Sequence, residues 1–196
     1  MNLFSAVEMA PRDPILGLNE QFAADTSAIK VNLGVGVYFN DQGKLPLLAC
    51  VQKAEQAMMS APSARGYLPI DGIAAYDSAV KALVFGANSE AVNSSRVATV
   101  QALGGTGALK IGADFLKQLN PGAKVLISDP SWENHRALFT QAGFTVETYP
   151  YYDAANKGVN FAGMLAALNA ATAGTVVVLH ACCHNPTGYD ITAAQW

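Results

Sequence analysis

Charge is the scarcest commodity in this 196-residue chain. Asp, Glu, Lys and Arg make up 14% of it and hydrophobic residues 51%, whereas a typical globular domain carries roughly 25% charged residues. A solvated surface is normally dressed in charge, so the deficit points to surface that faces protein rather than water and argues against a lone monomer. The 12 basic and 15 acidic residues leave a net charge of −3 with no basic run, which excludes the electrostatic footprint of a nucleic-acid binder. Long apolar runs are missing as well. Stretches such as Thr175–Leu179 fall far short of the ~20 residues that span a membrane. The opening MNLFSAVEMAPRD lacks the basic start and apolar block of a secretory signal. Three cysteines, Cys50, Cys182 and Cys183, make no disulfide framework. These absences predict a soluble, cytoplasmic protein with no membrane or nucleic-acid partner.

What is present is a regular alternation. Residues 1–12 show no sustained period and read as an arm. Asp13-Pro14 has the form of a helix N-cap followed by Pro at the first helical position, opening a helix over Ile15–Ala24 with Ile15, Leu18 and Phe22 on one face. A short strand is expected over Ile29–Val37, then a turn at Asp41-Gln42-Gly43. Leu48, Val51, Ala54 and Met58 fall at helical steps within Leu47–Met59. Ser60–Gly72 is a Pro- and Gly-containing loop, and Ile73–Phe85 a helix closed by Gly86. From Val97 onward, strands (Val97–Leu103, Val125–Ser128, Phe144–Tyr149, Thr175–His180) alternate with helices (Gly105–Leu119, Trp132–Ala142, Phe161–Ala171), and Gly122, Gly143 and Gly174 mark the returns. Such alternation predicts an α/β fold, a mostly parallel sheet sandwiched by helices, with Thr175–Leu179 as its doubly buried central strand. Ile191–Trp196 reads as the first turn of another helix, capped by Asp190 or Thr192.

Three loops at strand ends carry the candidate chemistry, since ligands of parallel α/β sheets bind beyond the carboxyl ends of the strands. Leu103-Gly104-Gly105-Thr106-Gly107 opens a helix, and its glycines, hydroxyl and free N–H groups suit a phosphate; a plain strand-to-helix turn is the competing reading. Asp129-Pro130-Ser131-Trp132-Glu133-Asn134-His135 sets a flat indole beside a histidine. That indole either stacks on a planar ligand or packs over the sheet rim. In His180-Ala181-Cys182-Cys183-His184-Asn185-Pro186-Thr187-Gly188, alternate residues His180, Cys182 and His184 invite a zinc reading. Against it stands a reading with buried thiols and with Asn185 offered to a ligand hydroxyl by a tight turn. Asp129-Pro130 and Asn185-Pro186 are the candidate cis bonds. Upstream, Gly34-Val35-Gly36 can bring N–H groups to a carboxylate, and Tyr67 sits in an exposed loop.

Taken in order, VNLGVGVY, GYLPIDG, GGTGALK, SDPSWENH, YYD and CCHNPTG resemble the aspartate/aromatic amino-acid aminotransferases, class I pyridoxal-phosphate enzymes of fold type I. The resemblance covers the chain from DPILGL to Trp196. YLPIDG, SDPSWENH and GALKIGADFL lean toward the bacterial aromatic (tyrosine) branch. It implies an arm (1–12), a piece of the small domain (13–45) and the first part of the large cofactor-binding domain (46–196). It implies pyridoxal 5'-phosphate as cofactor, with Gly104, Gly105 and Thr106 holding its phosphate, Trp132 stacked on its ring and Asn185 bonding its phenolic oxygen. Gly36, Trp132 and Asn185 then face the substrate, with Gly36 offering its backbone to the carboxylate. Tyr67 reaches the phosphate of the neighbouring subunit in a homodimer, and His135 supports the ring from below. Amino-acid and 2-oxo-acid substrates and a two-step exchange of the amino group follow from the same likeness.

The resemblance also implies what these residues do not supply. In the family the Schiff-base Lys, the acid on the pyridine nitrogen and the substrate-binding Arg residues follow the NPTG loop. None of the eight Lys here occupies the Lys position, and Lys110 reads as a solvated helical residue. The expectation is therefore the N-terminal half of an enzyme about twice as long, with no catalytic Lys and no turnover by residues 1–196 alone. The alternative is a binding or assembly module. A nicotinamide dehydrogenase is disfavoured, because GxGxxG is absent and Asp129 lies beyond the expected acidic position.

Overall fold

The computed structural model describes residues 4–9, 14–32, 34 and 36–196. The chain divides into two compact units, one running to Gly66 and the other from Tyr67 to Trp196.

The first unit contains helices α1 (Pro14–Ala24) and α2 (Ala49–Ser60); the expected cap Asp13 and half of the arm lie outside the described residues. None of its described residues is buried, and the apolar positions Leu48, Val51 and Met58 of the α2 face are all exposed. Local polar contacts shape it instead. Lys30 Nζ donates to the carbonyls of Phe22 and Asp25 at 2.7 and 2.6 Å and lies 4.5 Å over the Phe22 ring. Asn32 donates to Asn19 Oδ1 and accepts the Gly34 N–H, both at 2.9 Å. The strand expected over Ile29–Val37 is not formed among the described residues. A strand needs a neighbour for its N–H and C=O groups. Here the Ser27 hydroxyl takes the N–H and C=O of Ile29, so side chains do what a partner strand would.

The second unit opens with α3 (Ala74–Phe85), closed by Gly86 at φ 83°, and the short α4 (Glu90–Asn93), capped by Ser89. Then come α5 (Gly104–Leu119), β1 (Lys124–Asp129), α6 (Glu133–Gln141), β2 (Thr145–Pro150), β3 (Tyr152–Asp153), β4 (Gly158–Val159), α7 (Phe161–Ala170) and β5 (Val176–Val177). The three-stranded sheet has the order β2-β1-β5 and is parallel throughout, with Val125 opposite both Val146 and Val176. Alternate residues of a strand face opposite sides, and β1 supplies both cores. Val125 and Ile127 join Ala113 of α5, Phe139 of α6, Ala123 and Phe144 on one face. Leu126 joins Tyr149, Tyr151 and Met164 of α7 on the other. Each such fully buried aliphatic side chain contributes roughly 1.5–3 kcal/mol.

The sandwich matches the alternation in the sequence, but two expectations need correction. The doubly buried central strand is β1, not Thr175–Leu179, whose first four residues are half-buried and whose Leu179 is exposed; β5 borders the sheet and so lacks a neighbour on one side. Val97–Leu103 forms no strand, because its one non-local backbone bond is Gln101 N–H to Asp71 C=O at 2.9 Å. At the far end Thr192, one of the two expected caps, closes a single turn, its hydroxyl accepting the Gln195 N–H at 3.3 Å. Asp190 is engaged elsewhere. An antiparallel hairpin, β3–β4, was not anticipated; Asp153 Oδ1 closes it by accepting the N–H groups of Ala155 and Asn156.

Gln101 also locks the loop before α3. Its Oε1 accepts the Ile73 N–H at 3.0 Å, and Gly72, buried at φ 102°, packs so closely that a Cβ there would meet Gln101 Cβ at 2.3 Å. Gly72→Ala is therefore expected to destabilise this unit by about 2 kcal/mol or more. Urea denaturation measures it, and an unchanged midpoint would contradict the packing described.

Candidate functional site

The carboxyl ends of β1 and β5 and the amino end of α5 lie where parallel sheets bind ligands. α5 starts on a left-handed Gly104 (φ 63°). The Gly104 and Gly107 amides are satisfied by the Ala102 and Leu103 carbonyls, whereas those of Gly105 and Thr106 have no acceptor among the described residues. No acidic residue occupies the first turn, and a Cβ built on Gly105 meets nothing within 4 Å. Open donors, a helix of 16 residues behind them and empty space in front make an anion site by geometry and by dipole.

β1 ends in a cis Asp129–Pro130 bond, after which Trp132, half-buried, caps α6. Ser131 Oγ bonds His135 Nδ1 at 2.9 Å, and the indole meets the His135 ring edge-on at 5.3 Å. Thr106 of the anion loop and Asn134 of α6 line one apolar groove between α5 and α6. The third loop, with its own cis Asn185–Pro186 bond, joins this line through histidines. His135 contacts His180 edge-on at 5.1 Å, His180 stacks on His184 at 4.3 Å, and His184 stacks on Tyr151 at 3.9 Å. His180 Nδ1 accepts the Asn185 N–H at 3.0 Å; its Nε2 is buried without a partner. The Asn185 side chain is exposed.

Burial keeps these rings uncharged. It lowers the pKa of His135 and His180 and takes His184 from 6.5 to about 4, the neighbouring His180 adding to the last effect. Asp190 is held below the usual carboxylate range by the amides of His184 and Cys183, at 2.8 and 2.7 Å. Burial pushes the Tyr149 hydroxyl up to about 12.

The structure thus joins Trp132 and His135 to the turn of Asn185 through His180, sets Thr106 and Asn134 in one groove, and places Gly104 and Gly105 at the start of α5. Tyr67 stands fully exposed at the start of the second unit, and Gly36 is an exposed residue of the first. The buried-thiol expectation is overturned. Cys182 and Cys183 are both exposed, because the left-handed turn at Cys183 (φ 53°) lifts the loop off the sheet while its amides fold onto Asp190. Zinc finds no ligand set in this loop, since both ring nitrogens of His184 are taken by hydroxyls, those of Ser128 and Thr187 at 2.8 Å each. Among the described residues no group of three or more His, Cys, Asp or Glu side chains is placed to hold a metal. Ser128 and the roles of Thr187, Tyr151 and Asp190 escaped the sequence reading. Ser128 carried a signal nonetheless, as the hydroxyl that directly follows the apolar run Val125–Ile127 of β1.

The sequence model of the family described as aminotransferase class I and II matches residues 28–196. The chain belongs to this family. Among aminotransferases it is 66% identical to an aspartate aminotransferase of Pseudomonas aeruginosa, over all of this chain and 49% of that protein. It is 49% identical to the aromatic-amino-acid aminotransferase of Escherichia coli, over 99% of this chain and 49% of the relative. The crystal structure of the aromatic-amino-acid aminotransferase of Burkholderia pseudomallei, covalently bound to pyridoxal phosphate, superposes with a TM-score of 0.94 at 69% identity, covering 100% of this chain and 49% of that one. The chain therefore spans about half the length of the aminotransferases it matches.

Because the three histidines have lowered pKa values, folding favours their neutral forms. Their contribution to stability is complete above about pH 6.5, where the unfolded chain is neutral too. It is lost as pH falls through the folded values, to about 4 for His184. The urea midpoint of the second unit is expected to be level from pH 8 to 7 and to drop steadily between pH 6.5 and 4. A midpoint indifferent to pH across that window would count against the buried histidine line.

Proposed function

We propose that the protein is a pyridoxal 5'-phosphate-dependent aminotransferase that moves the amino group of aspartate or an aromatic L-amino acid to 2-oxoglutarate in two half-reactions. One observation carries the reading: the half-buried Trp132 is joined through the His135 and His180 rings to the turn that offers the Asn185 side chain, beside an α5 whose first amides are open. The aspartate and aromatic aminotransferases among the relatives, and the cofactor bound in the Burkholderia enzyme, support it.

The donor set fits the cofactor. A phosphate needs N–H donors and no adjacent carboxylate, which the first turn of α5 offers. The buried Nε2 of His180 lacks a partner, as befits a wall that another polar group completes. Bound here, pyridoxal phosphate supplies the electron sink that makes the α-proton of an amino acid removable. The remaining work falls to the protein. Gly104, Gly105 and Thr106 hold the phosphate, and Trp132 covers the ring. Asn185 donates its amide to the phenolic oxygen and faces the substrate. His135, fixed by Ser131, supports the ring from below, and Gly36 offers its N–H to the substrate carboxylate. Tyr67, fully exposed, reaches the phosphate of the second subunit in a homodimer. The Lys that moves the proton is assigned outside residues 1–196. Lys110, three residues into α5 from the loop, is paired with Asp114 at 2.5 Å. Residues 1–12 are assigned to an arm, 13–45 to the small domain and 46–196 to the large one. No helix among the described residues is long and apolar enough to cross a membrane. With three free cysteines, a cytoplasmic site fits best.

The full-length protein is expected to form glutamate from 2-oxoglutarate with L-aspartate, L-tyrosine or L-phenylalanine, and residues 1–196 alone to form none. No transfer by the full-length protein would overturn the function, and turnover by residues 1–196 would overturn the placement of the Lys. Gly105→Ala fills the open space at α5 without a clash, so stability should change by less than about 0.5 kcal/mol. Cofactor affinity, followed by absorbance titration, should fall about tenfold or more; unchanged affinity would remove Gly105 from the phosphate site.

A further inference from the structure

We propose that His184 is a positioning residue that fixes Asn185 toward its ligand through hydrogen bonds buried between β1 and the third loop. The proposal rests on the reading above that Asn185 touches the cofactor. His184 is 2% exposed, and both of its ring nitrogens are engaged. Nε2 bonds Ser128 Oγ at 2.8 Å and Nδ1 bonds Thr187 Oγ1 at 2.8 Å. Thr187 Oγ1 also accepts the Tyr189 N–H at 3.2 Å. Each hydroxyl can donate one hydrogen and accept others, so either neutral tautomer of the ring satisfies both.

The rest of the residue is held as firmly. Its ring lies between Tyr151 and His180, its N–H goes to Asp190, and its carbonyl accepts the Gly188 N–H at 2.7 Å. Asn185 follows directly, with its N–H on His180 Nδ1. The backbone on both sides of Asn185 is thereby fixed while its side chain remains available to a ligand. Loss of the His184 ring nitrogens leaves Ser128 and Thr187 without their partner and frees the turn that aims Asn185.

The test uses His184→Phe, which keeps a ring against Tyr151, together with Thr187→Val, Ser128→Ala and Asn185→Ala, all in the full-length protein. Two readouts are needed: hydrogen exchange of the Asn185 amide in the cofactor-free protein, and the dissociation constant and visible band of bound pyridoxal phosphate. His184→Phe and Thr187→Val are each expected to speed exchange at Asn185 at least about tenfold and to weaken the cofactor about tenfold. Both should shift the visible band in the direction that Asn185→Ala shifts it, while the Val125 amide stays protected. Unchanged exchange at Asn185 in these variants, with Asn185→Ala still weakening the cofactor, would overturn the proposal. Should His184→Phe lose protection at Val125, Thr187→Val and Ser128→Ala decide the question by the same two readouts. If Asn185→Ala binds cofactor normally, the assignment of Asn185 fails instead, and the exchange measurement still decides whether His184 holds the turn.

Discussion

A hydroxyl sealed inside a dry sheet has to find a partner, and in this chain the whole site hangs on how Ser128 finds one. Val125, Leu126 and Ile127 are covered on both faces of β1, and Ser128 follows at 1% exposure, one residue before the strand leaves the core. An unpaired hydroxyl there costs about 1–3 kcal/mol. His184 removes that cost from 56 residues away, and in doing so binds the third loop to the central strand. The positions of Asn185, of Asp190 beneath the left-handed turn, and of the histidine line toward Trp132 all follow from that attachment.

A second consequence is electrical. The start of α5 and the loops around Trp132 and Asn185 offer amides, a carboxamide, an indole and histidines whose neutral forms burial favours. A helix end attracts an anion through partial charges already fixed by the backbone, so no charged side chain of the protein has to be stripped of a tight hydration shell there. Formal charges are kept to the margins, with Lys110 matched to Asp114 and Asp190 matched to backbone N–H groups.

Much of this was legible in the residues. The period changes from Val97 onward mark the helices and β1 and β2 to within a few positions. Gly143 and Gly174 take left-handed φ of 88° and 85° at the returns where the sequence places them. The strand-end loops were visible as loops, and with them Thr106, Trp132 and Asn185. What escaped depends on partners distant in sequence. Val97–Leu103 has the composition of a strand, but a strand is a pairing, and no described neighbour lies beside it. Thr175–Leu179 is apolar enough for a sheet centre, yet strand order, which no local pattern encodes, puts it beside β1 at an edge. Cys182 and Cys183 look buried by type and are exposed by geometry. The choice of Thr192 over Asp190 as the last cap turned on Asp190 already being committed to the amides of Cys183 and His184.

The three-stranded sheet carries one more implication. With the order β2-β1-β5, both outer strands lack a neighbouring strand on one side among the described residues, and there the Val146 carbonyl on β2 is covered by Arg136 at 3.0 Å. No bulge interrupts either edge to discourage a stray strand, and the apolar side chains Ile111, Phe115 and Leu119 of α5 are exposed as well. Open edges of this kind are templates on which a strand of another chain can pair.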